Sequence, residues 1–148
     1  MKTTIFCSWK ALSACALLAA SCLSAQSPPM VANIPFDFAV KNEHMAAGTY
    51  EVTVNRQNST VLIRGGENGS ATFALTSATL TPNTQTQAKL VFNRYGNRYF
   101  LHQVWKAGSD QGRELTPSKA EREYARNIGK PEVATLLVSA EGVSQPAH

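Results

Sequence analysis

The sequence predicts a mainly β fold, an antiparallel β-sandwich or partly closed barrel of about seven to eight strands with one helix on the C-terminal side. Apolar residues recur at every second position over most of the chain, which is typical of half-buried strands. Glycine, asparagine and proline clusters separate these runs, and a helical apolar period occurs once, late in the chain. Because helices do not alternate with strands, we do not expect a parallel sheet.

The first 25 residues, MKTTIFCSWKALSACALLAASCLSA, have the layout of a secretory signal peptide. Lys2 and Lys10 precede a short apolar run, and small residues lead to the expected cleavage after Ala25. The apolar run is shorter than the roughly 20 residues of a permanent membrane helix, so no transmembrane span is expected in the mature chain. We therefore expect export, to the periplasm or the extracellular space.

All three cysteines, Cys7, Cys15 and Cys22, lie inside this leader. The mature chain is therefore predicted to contain no disulfide, no thiolate metal site and no cysteine nucleophile. The small residues before Cys22 also resemble the signal for acylation of a bacterial lipoprotein. Ala19, three positions earlier, is not the branched residue usual there, so a lipid anchor at Cys22 is a less favoured alternative.

The mature chain is predicted to form one domain over residues 32–139, after a linker at 26–31 and before a flexible tail at 140–148. Cleavage removes two of the 14 basic residues and leaves a slight excess over the 10 acidic ones. No dense run of Lys or Arg occurs in the mature chain. Nucleic acid is therefore not an expected partner of this exported protein.

The domain is predicted to open with a single strand from Ile34 to Val40. Pro35 indicates an edge position for it, since proline cannot donate a ladder hydrogen bond. A turn through Lys41 to Gly48 follows. Residues 76–87, rich in Thr, Gln and Asn, indicate a long connection that crosses between sheets. Between the turn and this connection, further strands are predicted at residues 49–55, 60–64 and 71–75.

The segment KLVFNRYGNRYFLHQVW, Lys89 to Trp105, is predicted to form a hairpin with Gly96-Asn97 as a two-residue turn. In the resulting register Ala88 faces Trp105, on the side of the hairpin that faces the core. His102 would face Val91 as a half-buried strand residue. We favour that structural role over a role as a base or ligand, and we favour a core anchor over a sugar platform for Trp105.

Arg-Tyr pairs flank the turn on both sides. Each cross-strand Arg/Tyr pair is expected to make a cation–π contact that stabilises the hairpin. We favour this structural role over recognition of a ligand, but both remain open. The candidate surface for a partner or ligand comprises Arg94, Tyr95, Arg98, Tyr99, His102 and Trp105.

The late helix is predicted over residues 118–128. Ser118 and Glu121 have the spacing of a capping box, and Gly129 follows the last apolar position. Apolar side chains repeat at helical spacing in Ala120, Tyr124 and Ile128. The run from Val133 to Val138 predicts a closing strand.

The sequence contains no pattern that indicates a catalytic, cofactor-binding or metal-binding site. In GSDQG, Gly108 to Gly112, Ser109 stands one place too early for the nucleophile elbow of a serine hydrolase. The three histidines do not have metal-ligand spacing. We therefore expect a non-enzymatic protein without a cofactor.

Four segments carry a resemblance to a known family: ANIPFDFAV, AAGTYEV, KLVFNRYGNRYFLHQVW and GRELTPSKAERE. In this order they resemble a family of small exported proteins of unknown function from acidobacteria. Met45-Ala46 departs from the Lys or Thr and Pro usual there in the family. The resemblance implies export and a β-rich fold, and it implies neither an activity nor catalytic residues.

These observations favour an exported binding or structural module of the cell envelope or periplasm. Its partner, an envelope protein or a small ligand, is not identified by the sequence. The alternative is a carrier that holds a small apolar ligand in a closed-barrel cavity. A hydrolase is the least favoured class.

Overall fold

The computed structural model describes residues 29–65 and 69–138. The predicted signal peptide with Cys22 and the predicted tail at 140–148 lie outside the described residues. The described part contains ten strands and one helix, which confirms the mainly β fold. The strands follow one another in a sheet that does not close, as in a sandwich or partly open barrel.

The strands are numbered in chain order. They are β1 (Met30–Ile34), β2 (Phe38–Val40), β3 (Glu43–Met45), β4 (Gly48–Asn55), β5 (Thr60–Gly65), β6 (Ala71–Leu80), β7 (Ala88–Tyr95), β8 (Arg98–Trp105), β9 (Gln111–Leu115) and β10 (Glu132–Val138). The helix α1 (Lys119–Ile128) precedes β10. The strand β1 begins inside the segment predicted as a linker.

Two layers share the long strand β6. The first layer is the antiparallel set β1-β4-β5-β6, and the second contains β9, β8, β7 and β10 with β2 and β3. Leu75 pairs with Thr60 of β5, whereas the next residue, Thr76, pairs with Leu115 of β9. The main-chain N and Oγ1 of Thr76 both donate to the carbonyl oxygen of Ser59, at 2.7 and 2.9 Å, which fixes the crossing point.

This strand corrects the predicted connection at residues 76–87. The crossing between sheets lies at the start of that segment, but residues 76–80 are the second half of β6. The connection is therefore confined to the residues between Leu80 and Ala88.

The strand predicted from Ile34 to Val40 is two strands in different layers. β1 pairs with β4 at the edge of the first sheet, and β2 pairs with β8 in the second. The chain bends at Pro35, which has no N–H to continue the ladder. β2 runs parallel to β8, with Phe38 opposite Tyr99, so the expectation of antiparallel pairing fails at this one junction.

The space between the layers is filled by apolar side chains from both sheets. Each large side chain buried there contributes about 1.5–3 kcal/mol. The largest with less than 2% exposure are Phe38, Phe92, Ile34, Ile63, Leu90, Val40, Val52, Val61 and Val104.

The larger apolar side chains of β6 lie on the face that points away from this core. Ala74 is 2% exposed, whereas Phe73 and Leu75 are 71% and 64% exposed. The apolar side of the predicted strand at 71–75 therefore faces away from the core.

The hairpin β7–β8 follows the predicted register from its turn only as far as Phe92, which pairs with Leu101. The preceding residue, Val91, pairs with Gln103. His102 is therefore an extra residue, a β-bulge, and the predicted pairing of His102 with Val91 is wrong.

Beyond the bulge the register is shifted by one residue. Lys89, not Ala88, pairs with Trp105, so Trp105 lies on the outer face of the second sheet and not on the predicted core-facing side. The Trp105 ring lies against Gly112, and its Nε1 donates to Gln103 Oε1 at 3.0 Å. The side chain is buried, but outside the main core.

The helix begins one residue after its predicted start, with Ser118 as the N-cap. Ser118 Oγ accepts a hydrogen bond from the main-chain N of Glu121 at 3.1 Å, as the capping-box spacing predicts. Tyr124 packs on a small second cluster, on the face of the second sheet opposite the main core. Gly129, at φ 96°, ends the helix. Among the described residues, no helix is both long and apolar enough to cross a membrane.

Candidate functional site

A cleft lies outside the main core, between the β2–β3 hairpin, the β7–β8 turn and the helix. Its volume is about 460 Å³, within the range of small-ligand pockets. The cleft is lined by Asp37, Phe38, Ala39, Lys41, Asn42, His44, Asn97, Arg98, Tyr99, Phe100, Ala120 and Tyr124.

The β2–β3 turn that forms one wall contains a strained residue. Val40 pairs with Glu43, which leaves Lys41 and Asn42 as a two-residue turn. Lys41 has φ 58°, a left-handed conformation that costs a non-glycine residue about 1–2 kcal/mol. Its Nζ donates to the carbonyl oxygen of Thr116 at 3.1 Å, just before the helix. The strained turn is thus tied to the segment that carries the opposite wall.

Aromatic rings form the inner surface of the cleft. The ring of Phe100 lies 5.7 Å from that of Tyr124 and 5.9 Å from that of Tyr95, measured between centroids. Tyr99 stacks on Phe36 with centroids 3.9 Å apart. These contacts hold the rings in place before any partner binds, so little side-chain ordering is needed on binding.

Charged groups lie at the rim. Arg98 Nη1 donates to His44 Nε2 at 3.0 Å, and since arginine is only a donor, the histidine nitrogen accepts. Asp37 Oδ1 accepts from the main-chain N of Ala47 at 2.9 Å. Arg98 is exposed, so its remaining N–H donors face solvent. The arrangement suits a group with an apolar or aromatic body and an anionic end.

The structure divides the six residues predicted as a partner or ligand surface. Only Arg98 and Tyr99 line the cleft. Tyr95 is buried beneath the helix in the second cluster. Burial, and secondarily the charge of Glu121, raise the pKa of Tyr95.

The other three lie apart from the cleft lining. The guanidinium of Arg94 lies 5.6 Å from the Tyr99 ring centre, as the predicted cation–π pair requires, and forms an ion pair with Glu132 at 3.3 Å. His102 sits at the bulge, where its Nδ1 is buried without a hydrogen-bond partner. Trp105 lies under Lys89, whose Nζ is 5.5 Å from its ring centre.

Ten of the twelve cleft residues are not among those predicted, and these ten include Lys41, His44 and Tyr124. The sequence indicates Tyr124 only as part of the apolar helix face, and Lys41 only as the start of a turn. The signal that the sequence does offer is the helix face itself, which must pack against something. Which strand it covers depends on pairings between distant segments.

No group of three or more His, Cys, Asp or Glu side chains in residues 29–65 and 69–138 is arranged to hold a metal ion. Comparison with protein-family models, with curated proteins and with solved structures finds no significant match.

Proposed function

We propose that the protein is an exported, non-enzymatic β-domain of the cell envelope or periplasm that binds a partner through the cleft. The observation that carries this proposal is the cleft itself, with fixed aromatic rings inside and the exposed Arg98 at its rim. Aromatic side chains and arginine are the types enriched where proteins bind partners.

The location of the cleft supports a binding module over the alternative, a carrier with a closed internal cavity. A carrier needs space between the sheets, and in the described residues that space is occupied by side chains such as Ile63 and Phe92. The cleft lies outside this core, where a partner reaches it without opening the fold.

Export rests on the leader and on the resemblance to small exported acidobacterial proteins. A chain whose cysteines all lie before the expected cleavage site also suits an oxidising compartment, because its mature form would carry no thiol.

The proposal is tested by retention of envelope components on immobilised protein. We expect wild-type protein to retain a component that Arg98→Glu loses, since reversal of this exposed charge removes the donor at the rim. Arg126→Glu, an equal charge change on an exposed helix residue that does not line the cleft, is the matched control. Equal retention by both variants contradicts binding at the cleft.

Native mass spectrometry separates the two classes. For a binding module, we expect the measured mass to be that of the protein alone. For a carrier purified with its ligand, we expect a reproducible additional mass. An adduct that persists in Arg98→Glu would favour the carrier over the proposed cleft.

A further inference from the structure

One end of the sandwich is formed by the β4–β5 turn, the β8–β9 loop and the start of β9. The loop is fastened to the connection between β6 and β7: Gly108 N donates to Gln85 O at 2.8 Å, and Gln85 N donates to Ser109 O at 3.0 Å. Ser109 Oγ donates to Gln111 O at 3.0 Å and accepts from Gln111 N at 3.1 Å. Side chains on this loop are therefore presented from a fixed backbone.

Three cations lie at this end of the fold, and we call them the basic cluster: Arg56, Lys106 and Arg113. Arg113 is only 8% exposed, and its Nη2 donates to the main-chain oxygen of Arg56 at 3.3 Å. Arg56 Nη2 in turn donates to Ser109 Oγ at 3.3 Å. Burial, and secondarily the charge of Arg56, lower the pKa of Lys106, because Lys106 and Arg56 lie close enough to repel.

The basic cluster has no carboxylate partner within the described ranges. The ion pair found in those ranges joins Arg94 to Glu132, on β7 and β10. Arg113 carries five N–H donors, of which one has an acceptor in the described structure. Arg56 is exposed and Lys106 is half-buried, so the cost of desolvation falls mainly on Arg113. A buried charge without a counterion destabilises a fold, and an anion bound from solution removes that cost.

We propose that the basic cluster binds a tetrahedral oxyanion, phosphate or sulfate, either free or as the end group of a larger molecule. The planar guanidinium groups donate paired N–H groups to two oxygens of such an anion, and the lysine ammonium adds a compact charge. None of the three side chains lines the cleft, so this site is independent of the proposed function.

The test is an NMR titration of the purified protein with sodium phosphate, sodium sulfate and glycerol phosphate, each against sodium chloride of equal ionic strength. We expect the oxyanions to shift the backbone amide signals of the β4–β5 turn and the β8–β9 loop saturably. Binding of glycerol phosphate shows that the site accepts a phosphate carried by a larger molecule; binding of the inorganic ions alone shows a site for the free ion. Equal shifts with chloride overturn the proposal.

The matched variants are Arg56→Gln with Lys106→Gln, and as control Arg122→Gln with Arg126→Gln on the exposed side of the helix. Both doubles remove two positive charges. Loss of two charge-assisted hydrogen bonds is expected to weaken phosphate binding about tenfold or more in the first double and to leave the second unchanged. Equal affinity in the two doubles overturns the proposal.

A second readout does not depend on the stability of any variant. A bound oxyanion offsets the repulsion from Arg56, so phosphate is expected to raise the Lys106 pKa towards the ordinary lysine value. The Lys106 side-chain carbon signal, followed against pH with phosphate and with chloride, measures this change. An unchanged midpoint contradicts oxyanion binding next to this ammonium group.

Discussion

Glu121 is a buried acid, 4% exposed, in the first turn of the helix. Its Oε1 accepts from Asn93 Nδ2 at 2.8 Å, and the positive end of the helix dipole lies nearby. The side chain therefore joins the helix to β7, in addition to the cap that Ser118 provides.

Replacement of Glu121 by alanine is expected to lower the free energy of unfolding by about 1–3 kcal/mol, because the Asn93 amide is left buried without its acceptor. Glu121→Gln keeps an acceptor oxygen and should cost less. Urea unfolding measures both. The control is Glu123→Ala, on an exposed side chain, which should change stability by less than about 0.5 kcal/mol. An equal effect of Glu121→Ala and Glu123→Ala would show that the buried bond contributes little.

Gly112 allows the Trp105 ring to lie flat on β9. A Cβ at this position would stand 2.6 Å from Trp105 Cδ2, closer than carbon atoms approach. Gly112→Ala is therefore expected to destabilise by about 1–3 kcal/mol through displacement of the ring. Thermal unfolding measures the loss. Gly48→Ala is the matched control, since its Cβ would meet no atom closer than 3.8 Å, and its melting temperature should be unchanged or slightly higher.

Two tyrosines make stability fall at alkaline pH. Burial, and secondarily the charge of Asp37, raise the pKa of Tyr50, whose hydroxyl donates to Ala46 O at 2.6 Å; burial likewise raises that of Tyr95. A raised pKa means that the fold favours the neutral phenol. This contribution is complete below the ordinary tyrosine value of about 10 and is lost as pH rises past it.

The measurement is tyrosinate absorbance in the folded and the urea-unfolded protein. In the folded protein, we expect part of the tyrosinate absorbance to appear at a higher pH than the titration midpoint of the unfolded protein. This part should be smaller in Tyr50→Phe. Coincident curves would contradict the burial effect.

At the scale of elements, the β7–β8 hairpin shows which part of a strand register can be predicted from sequence and which part cannot. The turn at Gly96-Asn97 and the first four pairs were predictable from the turn rule. The bulge at His102 was not, because it falls where β8 changes neighbours. Its first residues pair with β2 and its later residues with β9, two segments distant in the sequence. The wrong face for Trp105 follows from this one unpredicted residue.

Deletion of His102 tests the bulge. Without the extra residue, Leu101 is followed directly by Gln103, so the pairs Val91–Gln103 and Leu90–Val104 are kept and Val104 stays in the core. We expect the deletion variant to unfold cooperatively, because only the bulge is lost and no side chain changes face. His102→Ala keeps the chain length and removes a ring nitrogen that is buried without a partner, so it should change stability by no more than about 1 kcal/mol. A deletion variant that no longer unfolds cooperatively would contradict the bulge assignment.

The sequence also does not predict which face of β6 is buried or which residues line the cleft, and the reason is related. Period two shows that a strand has two faces, but the opposing layer decides which face is covered. Phe73 and Leu75 had the stronger apolar signal and still lie outside, because small Ala74 faces the core. The cleft needs Lys41 and Tyr124 together, and only tertiary packing brings them there.

At the scale of the molecule, the expected β-rich class and late helix are present. The edge position expected for the strand from Ile34 to Val40 holds only for β1, because β2 lies between β8 and β3. Composition and the period of the apolar residues predict the fold class and the helix directly, because both features depend on local conformational preference. The division into layers depends instead on two crossings, at Pro35 and at Thr76, where one apparent element belongs to both sheets.

Export makes a prediction about the whole chain. Protein recovered from an exporting cell is expected to begin at Gln26, and no thiol should react under denaturing conditions, since the three cysteines precede the cut. Intact mass and thiol labelling measure this. A mass that includes Met1 would contradict export by cleavage, and an acylated N-terminal Cys22 would support the lipid-anchored alternative. The control is a variant mutated at Ala25 so that the leader is not cleaved. This uncleaved protein keeps its three cysteines and should react with the thiol label.

The pairing of Phe38 with Tyr99 has a consequence for the order of assembly. The strand β2, near the start of the domain, can pair with β8 only after β8 has been synthesised. The second layer therefore has no early nucleus that includes this pairing. Pairings between distant segments form slowly. Such a chain is expected to remain without its second layer until β8 has been synthesised, which is the state that the proposed export through a secretion pore would require.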